Sequence, residues 1–161
     1  MNDNSISSMD SYKIALDTRN LEISLFWKRS NYFLVLNTAL AIGFFHVGDK
    51  WYSILLAILG AVVSILWFLV NLGSKCWQSR WEHRLQVVEE QIEPRLDLFA
   101  ANAETIQEDV RKSLENGSHK GLQKLLDRLV LRKPSVSYQM IRLSLIFVAA
   151  WVLLLAMKAI W

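Results

Sequence analysis

WYSILLAILGAVVSILWFLVNLG, residues 51–73, is an apolar run that passes without a proline into the charged segment SKCWQSRWEHRLQVVEEQIEP, residues 74–94. About twenty apolar residues rising 1.5 Å each cover the roughly 30 Å hydrocarbon layer of a bilayer. No charge lies between Trp51 and Leu72. The Leu, Ile, Val, Phe and Trp side chains of the run favour insertion by about 4 to 7 kcal/mol. The stretch therefore predicts a membrane-spanning helix that continues into water.

The composition extends this interpretation to the whole chain. It has 161 residues, 53% of them hydrophobic, and the apolar residues lie in blocks, as in membrane proteins. We predict an all-α integral membrane protein with three transmembrane helices and a small cytoplasmic helical domain, in which helices 1 and 2 extend beyond the bilayer. The net charge of +3 gives no argument for nucleic acid as a partner. The single cysteine, Cys76, excludes an internal disulfide, and the polar N-terminus does not resemble a signal peptide.

Hydrophobic blocks and helix breakers divide the chain into four parts. The first is a cytoplasmic amphipathic helix, capped at Asp10 or Ser11, and the third is the cytoplasmic domain. Within that domain we expect one helix to end at Pro94, a second to cover 95–114 with a cap at Asn116 and Gly117, and a third to cover 121–132 before Pro134. The predicted parts are residues 1–30, the hairpin 31–72 (spans 31–47 and 51–72 around the turn HVGDK), the domain 73–134, and 135–161 with a span at about 138–160.

Basic residues beside the spans predict the orientation. Lys and Arg gather on one side of the predicted spans, at positions 28, 29, 75, 80, 84, 128, 132 and 133, whereas the other side has Lys50 and Lys158. Because basic flanks stay in the cytoplasm, we expect a cytoplasmic N-terminus and a periplasmic or extracellular C-terminus.

A few polar side chains fall inside the predicted spans. Asn37 and Thr38 lie near the middle of the first span, where an interhelical hydrogen bond is favoured over a pore or ligand role. Arg142 lies one turn into the third span, and we favour an anchor that reaches back to the cytoplasmic face over a ligand for substrate or lipid phosphate.

Two further patterns predict packing and anchoring. Small residues recur along the second span, including Gly60 and Ser64, and would let helix backbones approach closely within a chain or between chains. After the span, an apolar stripe at helical spacing predicts a packed neck and an oligomer contact, whose members are Trp77, Trp81, Leu85 and Val88. The predicted interface anchors are Trp27, Lys28, Arg29, Lys75 and Arg80.

No pattern in the sequence indicates catalysis or a cofactor. His46 and His83 lack metal-ligand spacing, and the sequence has no phosphate-binding loop, nucleophile elbow or zinc signature. We therefore expect no enzyme activity, catalytic residue, metal or cofactor.

Two segments carry a family resemblance. YKIALDTRNLEISLFWKRSNYF, residues 12–33, and NLGSKCWQSRWEHRLQVVEEQ, residues 71–91, resemble the most recognisable stretches of the RipA family of bacterial octameric membrane proteins. The resemblance covers the first half of the chain well, and the last span by hydropathy. It implies a homo-oligomer, an octamer in that family, in the bacterial inner membrane with a cytoplasmic helical domain, and it supplies no catalytic residues.

Together these observations predict a non-enzymatic, ring-shaped scaffold. Its expected partners are copies of itself, membrane lipids and an unidentified cytoplasmic protein, in envelope or stress adaptation. The alternative is an oligomeric channel or membrane-permeabilising effector gated by the cytoplasmic domain. It would need a polar stripe along a span, and the polar residues are sparse.

Overall fold

The structure, a computed structural model, describes residues 7–47, 51–92, 98–115, 121–131 and 135–160. These ranges contain helices and no strand. The helices are α1 (Ser8–Val47), α2 (Tyr52–Glu89), α3 (Ala103–Glu115), α4 (Leu122–Leu131) and α5 (Val136–Ile160). Three of them, α1, α2 and α5, are long and apolar enough to cross a membrane. The predicted all-α membrane fold is confirmed.

Helix α1 begins earlier than its predicted caps. The backbone N–H of Asp10 donates to Ser7 Oγ over 3.1 Å, and the Ser7 hydroxyl donates to the Asp10 carboxylate over 2.9 Å. This reciprocal pair caps the helix at Ser7. The predicted surface helix and first span are one continuous helix, because no Gly or Pro interrupts the sequence between them.

The predicted third helix, over 95–114, is wrong for Leu98 to Asn102, which are not helical, and Arg95 lies outside the described residues. Helix α3 begins at Ala103, after Asn102, whose Oδ1 accepts from the backbone N–H of Thr105 over 2.7 Å and so caps the first turn. Leu98 to Ala100 form a bend instead of a helical turn. The predicted breakers Pro94, Asn116, Gly117 and Pro134, and the turn at 48–50, lie outside the described residues.

The described residues form two compact units. We call residues 20–78 and 136–161 the membrane unit, because they contain the predicted spans, and residues 1–19 and 79–135 the extramembrane unit. The core of the membrane unit consists of Leu40, Phe44, Ala57, Ala61, Val63 and Trp151. The core of the extramembrane unit consists of Tyr12, Ala15, Leu85 and Ile92.

The buried side of α2 follows alternating steps of three and four residues, the spacing of left-handed helix packing. Its chemistry changes along the helix. In the membrane unit it is mostly small or polar, and in the extramembrane unit the apolar Leu85 and then the carboxylate of Glu89 continue it. The positions at these steps in the membrane unit are Ser53, Ala57, Gly60, Ser64, Trp67, Asn71, Ser74 and Gln78, and Ala61 and Val63 are buried beside them.

Candidate functional site

Asn37 is the centre of a hydrogen-bonded site in the membrane unit. Its Oδ1 accepts from Ser64 Oγ over 2.8 Å and from Trp151 Nε1 over 2.9 Å. Its Nδ2 donates to the carbonyl of Phe33, one turn earlier on α1, over 2.9 Å. Asn37 and Ser64 are fully buried. One amide therefore links α1, α2 and α5, and the predicted packing role of Asn37 has a defined geometry.

The small residue Gly60 makes room for this site. A Cβ built at position 60 would collide with the Trp151 indole. Ser64 Oγ also lies 2.8 Å from the Gly60 carbonyl oxygen. Sequence left open whether the small residues of α2 serve contacts within a chain or between chains. The structure places Gly60 and Ser64 in contacts within one chain.

A second polar contact joins α2 to α5. Asn71 Nδ2 donates to the carbonyl of Met140 over 3.2 Å and lies 3.4 Å from Ser144 Oγ. The Ser144 hydroxyl donates to the carbonyl of Ile141 over 2.8 Å. Asn71 and Ser144 are buried. Polar side chains therefore face the inside of the helix bundle at two levels.

Two polar side chains of the predicted spans point away from this interior. Thr38 is exposed, and its hydroxyl donates to the carbonyl of Leu34 over 2.8 Å within the same helix. Arg142 is exposed on α5. These two side chains are therefore accessible to whatever surrounds the membrane unit.

The predicted interface anchors have different surroundings. Trp27 and Lys28 are exposed on α1, and Arg80 is exposed on α2. Arg29 donates from Nη1 to Ser74 Oγ over 3.1 Å, so this predicted anchor also links α1 to α2. Lys75 Nζ lies 5.8 Å from the ring centroid of Tyr138, within reach of a cation–π interaction.

The predicted stripe after the second span divides between the two units. Trp77 is 47% exposed in the membrane unit. In the extramembrane unit, Leu85 is fully buried beside Tyr12, and Trp81 and Val88 pack against the same core. Contacts within one chain therefore cover Leu85 and partly cover Trp81 and Val88, and Trp77 is the most exposed of the four.

Sequence reasoning missed Glu89, the buried carboxylate of the extramembrane unit. Its two oxygens accept from the backbone N–H groups of Leu98, Phe99 and Ala100, each over 2.7 Å. Charge-assisted bonds of this kind are stronger than neutral ones. The carboxylate fixes the bend that leads to α3. The sequence offered one signal that Glu89 is buried. It lies four residues after Leu85, at the spacing of the buried side of α2.

Tyr12 lies in the core of the extramembrane unit, and its pKa is raised. Burial, and then the negative charge of Glu89, raise the pKa of Tyr12 above its ordinary value of 10.0. Its hydroxyl has no hydrogen-bond partner among the described residues. Nearby, Arg19 lies 5.3 Å above the Phe99 ring centroid and 3.8 Å from a Glu82 carboxylate oxygen.

The described residues contain no group of three or more His, Cys, Asp or Glu side chains placed to hold a metal ion. His46 and His83 are both exposed. The polar groups around Asn37 and Asn71 join helices to one another.

Residues 9–160 match the model of the octameric membrane protein family, 8xMP. The chain belongs to this family. The match confirms the octameric family suggested by the two quoted segments, and it covers α3, α4 and α5 as well as the first half. A search of curated proteins and a search of solved structures give no match. Membership in 8xMP and three apolar helices together describe an octameric membrane protein.

Proposed function

We propose that the protein is a non-enzymatic scaffold, a homo-oligomer of the bacterial inner membrane whose extramembrane unit faces the cytoplasm and binds a partner or lipid headgroups. Its setting would be envelope or stress adaptation. The observation that carries the proposal is the site around Asn37, where polar groups of the spans bind one another inside one protomer. Polar groups used in this way hold helices together and do not line a path for solutes.

The surface of the spans supports the same conclusion. The exposed large side chains along the predicted second span of α2 are apolar, which suits lipid or another apolar helix. A wide water-filled lumen between protomers would need polar lining residues. The exposed apolar residues of this span are Ile54, Leu55, Ile58, Leu59, Val62, Ile65, Leu66, Leu69 and Leu72.

One observation favours the alternative, an oligomeric channel or membrane-permeabilising effector. Thr38 and Arg142 are exposed on helices of the membrane unit, where they could line a narrow space between protomers. A gate that closes by dewetting needs few polar groups. This alternative makes conduction depend on those two side chains.

Copy number and ion flux, measured on the same purified preparation, test the two functions. The scaffold predicts an eight-copy particle whose liposomes leak ions no faster than protein-free liposomes. If the liposomes conduct ions and Thr38→Val or Arg142→Gln changes that flux, the scaffold proposal is overturned in favour of the channel. Asn37→Leu is unsuitable for this comparison, because the Asn37 amide is buried inside the protomer.

A topology measurement tests the orientation separately. The excess of Lys and Arg on one flank of the spans supports a cytoplasmic N-terminus and extramembrane unit. A periplasmic reporter fused after Trp161 should be active, and a cytoplasmic reporter at the same place inactive. The reverse pattern would contradict the proposed placement of the extramembrane unit.

A further inference from the structure

Two cationic side chains lie beside one exposed tyrosine on the surface of the membrane unit. Lys75 Nζ on α2 lies 5.8 Å from the ring centroid of Tyr138 on α5. Arg142 follows Tyr138 by one helical turn, so the two residues share one side of α5, with Cβ atoms about 5–6 Å apart. Arg142 is exposed, and Tyr138 is 55% exposed. The ammonium and the guanidinium are therefore both neighbours of the same phenol ring.

No carboxylate of the protomer neutralises this pair of cations. Helix α5 has no Asp or Glu, and α2 has none before Glu82. Glu22 on α1 and Glu82 on α2 each lie 3.8 Å from an arginine of α1. Within the described part of the chain, no ion pair includes Lys75 or Arg142. Two positive charges at the edge of a membrane therefore take their counterion from outside the protomer.

The side chains along this side of α5 match the two parts of a phospholipid. Tyrosine is enriched where membrane meets water, so Tyr138 marks the level of the headgroups. Arg142 lies about 6 Å deeper along the helix, and its side chain tilts back toward Tyr138. One turn deeper again, Leu145 and Ile146 are exposed on the same side. Cations therefore lie at headgroup level, and apolar side chains follow where acyl chains lie.

We propose that Lys75 and Arg142 bind the phosphate of an anionic phospholipid, in the leaflet where α2 leaves the membrane and α5 enters it. The planar guanidinium can hold two phosphate oxygens, and the ammonium adds a point charge beside it. The acyl chains lie against Leu145 and Ile146. Arg142 alone fits the anchor predicted from the sequence, and Lys75 is what the tertiary structure adds. This site lies in the membrane unit, so it goes beyond the headgroup contact proposed for the extramembrane unit.

Charge selects among lipids at this site. Phosphatidylethanolamine carries an ammonium next to its phosphate, which would bring a third positive charge beside Lys75 and Arg142. Phosphatidylglycerol has the same phosphate without the ammonium, so we expect the site to bind it more tightly. Inorganic phosphate offers the charge without acyl chains to lie against α5. It should therefore compete poorly with the lipid.

Native mass spectrometry of the purified particle tests the site by counting bound lipids as phosphatidylglycerol or phosphatidylethanolamine is added. Lys75→Gln and Arg142→Gln should each weaken phosphatidylglycerol binding about fivefold, because each removes one cation from the site. Neither should weaken phosphatidylethanolamine binding. Lys28→Gln is the matched control, since it removes an exposed cation of the same unit from α1 and should change phosphatidylglycerol binding little. Arg142→Lys keeps the charge without the planar fork and should give an intermediate affinity.

Several outcomes would overturn the inference. Equal binding of the two lipids would show that charge does not hold the lipid, and equal weakening by Lys28→Gln would show a diffuse attraction instead of a site. Displacement of phosphatidylglycerol by millimolar inorganic phosphate would make a soluble anion the ligand. Loss of the eight-copy particle in both Lys75→Gln and Arg142→Gln would show that these cations serve assembly instead. Lipid selectivity is measured apart from copy number and ion flux in the wild-type protein, so its failure leaves the scaffold proposal standing.

Discussion

Trp151 on α5 donates its indole N–H to the amide oxygen of Asn37 on α1, although 114 residues separate the two in sequence. Ser64 on α2 donates to the same oxygen. In hydrocarbon no water can replace a lost partner, so each of these bonds depends on the amide being present. This three-helix site, rather than any one span, sets the arrangement of the membrane unit.

The first prediction concerns that amide. Asn37→Leu should lower the free energy of unfolding of the membrane unit by about 1–3 kcal/mol, because Trp151 Nε1 loses its acceptor inside the bundle. Unfolding in mixed micelles measures the change. Thr38→Val is the control, since the Thr38 hydroxyl is exposed and bonds within its own turn. Equal effects of the two substitutions would contradict the central role of Asn37.

The second prediction concerns the close approach of α2 to α5. Gly60→Ala should destabilise the membrane unit by about 1–3 kcal/mol, because the new methyl group meets the Trp151 indole. Gly73→Ala is the control, since nothing lies within 4 Å of a Cβ built there. The same unfolding assay compares them. A stable Gly60→Ala protein would mean that the helices do not approach as closely as described.

The third prediction concerns the carboxylate that fixes the bend before α3. Glu89→Gln replaces one acceptor oxygen with an N–H₂ group and should destabilise the extramembrane unit by about 2 kcal/mol. Amide hydrogen exchange at Leu98, Phe99 and Ala100 should become faster. Glu90→Gln, at the exposed neighbouring position, should leave exchange unchanged. Unchanged exchange in Glu89→Gln would show that its bonds do not hold the bend.

The fourth prediction is a pH dependence. The folded protein keeps the Tyr12 proton above pH 10.0, where the unfolded chain loses it, because the pKa is raised. The unfolded state then binds fewer protons, so stability is unaffected below that pH and falls as pH rises above it. Tyr12→Phe should reduce the alkaline loss, measured by unfolding between about pH 9 and 11. Tyr32→Phe, at an exposed position, is the control and should leave the alkaline loss of stability unchanged. Identical alkaline slopes would contradict the assignment.

The fifth prediction separates the two tryptophans after the second span. Trp81→Ala should destabilise the extramembrane unit by about 2 kcal/mol, because Trp81 packs against its core. Trp77→Ala should lower the oligomer mass in mild detergent, because the Trp77 ring is 47% exposed on the membrane unit. Mass photometry beside an unfolding curve distinguishes the two results. An unchanged mass for Trp77→Ala would show that this ring only contacts lipid.

The membrane class and the three helices long enough to span were predictable from the sequence, because insertion free energy is a sum over neighbouring residues. Local hydrophobic spacing also predicted α4, found at Leu122–Leu131. The family was suggested separately, by the resemblance of residues 12–33 and 71–91, and the match over residues 9–160 confirms it. Local spacing failed at the start of α3, where bonds to Glu89 hold Leu98 to Ala100 in a bend. The spacing of α2 marks Glu89 as a buried position, but it does not reveal that the partners of Glu89 are backbone N–H groups beyond the end of the helix.

Only the tertiary structure decided which side of each helix is buried and which groups the buried polar side chains bind. Asn37 could be identified as a residue needing an interhelical bond, but the choice of Ser64 and Trp151 depends on how three helices are rotated and offset. Lipid supplies no strong contrast between apolar sides of a span, so hydropathy does not reveal which side is buried. Glu89 sits beside Glu90 in a charged stretch, and only the folded backbone brings three N–H groups to one of these carboxylates.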